Sequence, residues 1–407
     1  MVVLFNALKW SKDTEQDFGV AYSDLALRAS GRLDGGKDPP MTNKTDPVPR
    51  DSRLDVARGV AIIAIALVHV VRGLTASGRL DSAYADVVAR SAGLWCLTVF
   101  AFVGGTFVPR AVQRDGLQPY LKERITRIVV VYLIWEVIQG TVRLIAGGDA
   151  NHHRSIVETF DFWRPDVQLW YLPFLVLVTL FFVPMQPWLT NHAPWALAIA
   201  AAVSFTYWGF DGGYIGTQGT GLVVFFVAGL VAGTTKVQSV LDRFGAAQAA
   251  AISVVLLPVT GFLCVRTTAI LPTYFWFQHT PARVVIGIAL TMVASPAILL
   301  FGHAARNSRF LSLCGRRSLD IYLAHIVLSS GARIVLIKLG VVNLWVILTL
   351  SFLVSIAGSL LVSTALRRSG LGWLFDGPNW SVKVATKQRQ DVLDTTDQKV
   401  GDRGEVG

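Results

Sequence analysis

The sequence predicts an all-α, polytopic membrane helix bundle of about ten transmembrane helices with both termini cytoplasmic, and three observations carry that prediction. Hydrophobic residues make up 53% of the 407 residues while only 16% are charged, well short of the quarter usual in a soluble domain. Long stretches carry no charge: 22 residues from Phe244 to Val265, 27 from Gly340 to Leu366 and 23 from Val167 to Leu189. A helix crossing hydrocarbon needs about 20 such residues at about 1.5 Å each. Finally, basic residues recur at alternate loops, the pattern that orients membrane helices.

Spans are expected near 54–75, 91–109, 127–146, 167–186, 194–210, 213–235, 245–266, 283–302, 318–338 and 342–366. With the N-terminus inside, the inner loops hold Arg50 and Arg53, the group from Arg110 to Arg127, Lys236 and Arg243, then Arg306, Arg309, Arg316 and Arg317, and finally Arg367 and Arg368. Asp149, Glu158, Asp161 and Asp166 fall outside, while Arg72, Arg79 and Arg90 oppose the trend on the first outer loop. The predicted location is the plasma (inner) membrane, multi-pass. Gly229 and Gly233, four apart, predict a close helix contact.

Residues 1–52 read as a flexible cytoplasmic arm, 53–368 as the membrane domain and 369–407 as a disordered polar tail. No signal peptide is apparent before Met41, and Met41 is the expected natural start. Cys96, Cys264 and Cys314 are odd in number and far apart, which favours packing over disulfides or metal. The net charge of +10 is scattered between apolar runs and does not form a nucleic-acid patch. Gly31 to Lys37 has the spacing of a phosphate loop, but Asp38 stands where Ser or Thr is required.

The first span holds the residues most suited to chemistry. Arg58 and His69 are 11 positions apart, about 20° from three whole turns, so they share a face about 16 Å apart along the axis. Arg72 joins them one turn later. Such a stripe belongs against a bundle interior or a wet cavity, because a charge facing hydrocarbon is costly. A histidine there suits a general base, since imidazole titrates near pH 7; a structural histidine bonded to a carbonyl is the alternative.

Arg124 and Arg127 lie side by side at the mouth of the third span. Paired guanidiniums suit the phosphates of a nucleotide-bearing donor, and equally suit topology setting or anionic lipid. In the ninth span Tyr322 and His325 share a face, as catalytic or as structural groups. Asp320 is too far round the helix to pair with His325 and should meet Arg317 or a neighbouring span. Glu136, alone as an acid within the third span, needs a partner such as Arg143 or the first-span stripe. His152, His153, His279 and His303 read as loop residues.

Five segments, in this order, resemble the acyltransferase 3 family of bacterial integral-membrane O-acyltransferases. They are Leu54-Asp55 with Arg58-Gly59 and His69; Arg124-Ile-Thr-Arg127; Tyr132-Leu-Ile-Trp135; Gln168-Leu-Trp170-Tyr-Leu; and Ser318-Leu-Asp-Ile-Tyr322-Leu-Ala-His325. Two departures stand out: Gly104, where the family commonly has Ser, and Val56, where Gly is usual after the Asp.

The resemblance implies transfer of an acetyl or similar acyl group from an acyl-CoA-type donor, as co-substrate, to a hydroxyl-bearing acceptor, carbohydrate or lipid-linked. No bound cofactor and no metal are expected. Arg58, Arg124 and Arg127 are the expected donor-binding residues and His69 the expected base. His325, Tyr322 and Glu136 are expected to orient groups or stabilise charge. A proton- or anion-coupled transporter or flippase, using the same buried residues, is the alternative reading, and a non-catalytic scaffold a third.

Overall fold

The computed structural model describes residues 51–147, 161–189 and 191–377. The N-terminal arm before 51, His152, His153 and the tail beyond 377 lie outside the described residues, as does Met41. Among the described residues no strand is present, and eight helical stretches are long and apolar enough to cross a membrane.

The first span is α1 (Arg53–Ala76). The second reaches further toward its N-terminal end than the expected 91–109, because α2 (Ser82–Gly93), α3 (Cys96–Thr106) and α4 (Val108–Asp115) run on as one bent stretch. Asp81 caps it by accepting from the Ala83 N–H, satisfying one of the free donors that begin a helix. Then come α5 (Leu117–Ala146), α6 (Tyr171–Phe182) and α7 (Ala193–Thr206).

The last two, α6 and α7, are 12 and 14 residues long, shorter than the roughly 20 that a full crossing takes. The expected span at 167–186 loses length at both ends. Residues 161–170 are irregular, and 183–189 turn away beyond Phe182. The chain continues through a 3₁₀ turn (Thr217–Leu222) into α8 (Val223–Leu241), followed by α9 (Ala246–Thr267) and α10 (Pro281–Ala304). Short α11 (Arg309–Arg316) leads to α12 (Ser318–Lys338). The last long stretch is α13 (Leu344–Leu353), a π turn (Val354–Gly358) and α14 (Ser359–Arg368).

The first helix is the hub, packing on α2, α3, α10, α11 and α12. Its seam with α11 depends on glycine: a Cβ at Gly59 would come 2.0 Å from the Leu311 carbonyl oxygen, and one at Gly315 would come 1.7 Å from that of Asp55. Without side chains the two backbones touch, the way membrane helices gain packing where burial from water contributes nothing. Of the predicted Gly229/Gly233 pair only Gly229 acts this way, against Phe102 on α3. Gly233 instead breaks helical geometry inside α8 with φ of 60°.

Past the last span, α15 (Trp373–Asp376) folds back on the bundle. Phe375 is fully buried, its ring 5.3 Å from that of Trp135, whose indole N–H donates to the Leu374 carbonyl. The packed region therefore runs past the expected boundary at 368, to residue 377.

Candidate active site

A small, partly open cavity lies against α1, and His69 and Arg72 are on its wall. Its apolar side is made by small residues of α2, including Ala89, Ala92 and Gly93, which leave room where larger ones would fill it. Leu271, Thr273 and Tyr274 close another side. Their loop is pinned by Arg90, which donates to the Ala269 carbonyl (3.1 Å) and to Gln278 (3.0 Å) while stacking over Phe275 at 3.9 Å. Arg90 had counted as a loop charge in the sequence; it is buried and structural. Sequence reasoning misses Thr273 and Tyr274, which it marks only by the aromatic cluster after Pro272.

The ring of His325 lies 5.2 Å from that of His69, inclined at 61°. Its Nδ1 sits 2.9 Å from the Ile321 carbonyl and 2.8 Å from that of Tyr322. Both are acceptors, so Nδ1 carries the proton and Nε2 is left with its lone pair. That Nε2 is enclosed and has no hydrogen-bond partner among the described residues. Two histidines, eleven residues beyond Arg58 on α1 and seven beyond Ser318 on α12, thus meet in the bundle interior.

Tyr322 also lines the cavity, and its hydroxyl donates to the Gln168 carbonyl. This contact belongs to a wider arrangement holding the irregular segment 161–170 inside the bundle. Tyr132 on α5 donates to the Phe162 carbonyl (2.6 Å), and Glu136 accepts from the Asp166 N–H (2.6 Å). Non-helical backbone among apolar helices requires such partners. Arg143 pairs with the Asp166 carboxylate at 2.6 Å. Arg143, weighed in the sequence as a partner of Glu136, is thus shared through Asp166. Glu136 is buried in this anchor and is not on the cavity wall.

The expected shared cavity holds His69 and Arg72 but not the other end of the stripe. Arg58 donates to the Ser318 hydroxyl (2.7 Å) and lies over the Phe100 ring at 5.6 Å. Arg124 and Arg127 are also off the cavity wall, half-buried on α5. Arg127 pairs with Glu123 at 2.5 Å, while Arg124 has no carboxylate within ion-pair distance among the described residues. Tyr171 lines the cavity, and its ring lies 6.2 Å from that of Tyr322.

Other sequence candidates fall elsewhere. Asp320 is bound by Arg317 (3.0 Å) and Arg367 (2.7 Å), so both kinds of partner anticipated for it are present. His303 corrects a loop expectation. It is buried in the last turn of α10, its Nε2 2.9 Å from the Phe244 carbonyl, because that helix runs past the predicted end at 302. His279 lies against Trp276, the two rings 4.6 Å apart and inclined at 47°. The three cysteines are buried and unpaired.

No curated protein and no solved structure gives a match to the chain. A family model described as an acyltransferase domain does match, over residues 51–364, which takes in α1 through most of α14 and every residue of the cavity wall. The chain therefore belongs to the acyltransferase 3 family and is a multi-pass membrane acyltransferase.

Proposed function

We propose that the protein O-acylates a hydroxyl compound, carbohydrate or other, using an acyl-CoA-type thioester as donor, with His69 as the general base. The observation that carries this reading is the His69 ring, placed on a cavity wall with the His325 ring 5.2 Å behind it. A hydroxyl is a weak nucleophile at neutral pH and needs a base at the moment it attacks.

In the proposed reaction the acceptor O–H gives its proton to His69 as its oxygen bonds to the thioester carbonyl carbon. The tetrahedral oxyanion then collapses, the C–S bond breaks, and the leaving thiolate takes the proton from His69. The Tyr171 hydroxyl, on the cavity wall, is the candidate for stabilising the oxyanion, while Tyr322, whose hydroxyl donates to the Gln168 carbonyl, orients that wall. His325, whose Nε2 lone pair is free, orients or shares the proton of the imidazolium. Arg58, Arg124 and Arg127 take the donor's phosphates. Gly104 leaves no hydroxyl for an acyl-serine at that position, which favours direct transfer.

The test uses the full-length protein in lipid nanodiscs with a thioester donor and an acceptor fraction from the native cells. Product is followed by mass spectrometry and free thiol by colour. His69→Ala should lose about 10²-fold or more of the rate, the contribution of one general base, with unchanged thermal unfolding. Activity close to that of the unaltered protein would remove His69 from the mechanism.

A further inference from the structure

We propose that the acceptor carries an anionic group, a carboxylate or a phosphate, and that Arg72 together with Gln168 holds it on the cavity wall beside His69. The proposal rests on the reading of this cavity as the acceptor site. Arg72 lines the cavity half-buried, with its guanidinium 4.7 Å over the Tyr274 ring. That ring attracts the charge but supplies no acceptor for its five N–H donors. Among the described residues no carboxylate lies within ion-pair distance of Arg72, and no Asp or Glu lines the cavity. An arginine within a membrane bundle normally has a partner or serves a ligand.

Gln168 points the same way from an independent side. It also lines the cavity and is only 4% exposed, yet among the described residues neither its Oε1 nor its Nε2, both enclosed, has a hydrogen-bond partner. Buried amides are nearly always bonded, so an enclosed one on a cavity wall calls for a ligand. A side-chain rotation that brings its N–H₂ to the cavity beside the guanidinium would offer donors suited to a polar or anionic oxygen group. Arg72 follows His69 by three residues on α1, which sets their Cβ atoms about 5–6 Å apart. An anion anchored on Arg72 thus leaves a neighbouring hydroxyl at the imidazole.

The experiment measures binding by calorimetry, without donor, to the full-length protein in phosphatidylcholine nanodiscs. The probes are methyl glucoside, methyl glucuronide and glucose 6-phosphate. At least one charged sugar should bind about tenfold or more tighter than methyl glucoside, as charge-assisted bonds to arginine are the strong ones. Arg72→Gln should erase that preference, and Arg72→Lys should keep part of it. A stronger carboxylate arm marks a uronate-type acceptor, and a stronger phosphate arm a phosphosugar or phosphate-linked lipid. Equal or tighter binding of the neutral sugar to the unaltered protein would overturn the proposal, as would a charged-sugar preference that survives in Arg72→Gln. Because no acyl transfer is measured, failure of His69 as the base would leave this result untouched, and failure here would leave the His69 test untouched.

Discussion

Two regions of the bundle bury charge in opposite ways. At the start of α12 the carboxylate of Asp320 is 3% exposed and accepts from Arg317 and, at 2.7 and 3.0 Å, from both terminal nitrogens of Arg367. Arg367 in turn holds Asp376 on α15 at 2.7 Å. Every charge there is answered by another, and the outcome is mechanical: the last span and the C-terminal turn are tied to α12. At the cavity Arg72 has no carboxylate partner and the Gln168 amide no hydrogen-bond partner among the described residues. A closed network has nothing left to bind with, whereas an open one costs stability until something arrives. On the proposed reading, the contrast separates residues that hold the fold from residues that would bind the acceptor.

Mutation of the closed network should have the largest effect. Asp320→Ala leaves two guanidiniums beside an apolar hole, and breaking a buried pair this way costs about 3–5 kcal/mol. Thermal unfolding in nanodiscs should register that as a lost or much lowered transition. Arg72→Gln, with no ion pair to break, should stay within about 0.5 kcal/mol. Equal losses in the two variants would erase the distinction between the regions.

A smaller effect separates two glycines. Gly315→Ala drives a Cβ into the Asp55 carbonyl at the α1–α11 seam, and overpacking of that kind costs about 1–3 kcal/mol. Gly104→Ala meets nothing within 4 Å and should be neutral within about 0.5 kcal/mol. A matching loss at Gly104 would place an unseen neighbour against α3.

On the donor side, Arg124→Ala should raise KM for the thioester about tenfold, about 1.4 kcal/mol, with acceptor KM little changed. Steady-state kinetics with each substrate varied in turn would check this. An equal rise for both would detach Arg124 from the donor.

Much of this was legible in the sequence because hydrophobic length and helical period are local properties. Arg58 and His69 lie on one helix, so counting residues was enough to relate them, and the pairing of Asp320 with Arg317 followed from a three-residue step. The sequence could not say that α6 begins only at Tyr171, since Val167 to Trp170 is as apolar as a helix would be. What holds 161–170 out of helix is tertiary: Tyr132, Glu136 and Tyr322 bond its backbone from two other spans. The meeting of His69 with His325 was hidden for the same reason, because their 256-residue separation is bridged only by the packing of α12 on α1. Arg58 was expected on the cavity with His69, and Ser318 draws it elsewhere.

A stability change close to zero, or of stabilising sign, discriminates most sharply at Gln168. Gln168→Leu removes an enclosed amide while keeping the backbone carbonyl that Tyr322 needs. Replacing an unbonded buried polar group by an apolar one of similar shape is close to neutral or stabilising. Thermal unfolding of this variant should therefore be unchanged or slightly raised, within about 1 kcal/mol. Its acceptor KM should rise, since the amide donors offered to the ligand are gone, while thioester KM stays put. If unfolding drops by several degrees with acceptor KM unaffected, the amide is a structural bond like those around Asp320. The cavity would then belong with the closed region of the bundle, and Arg72 alone would have to account for any anion it binds.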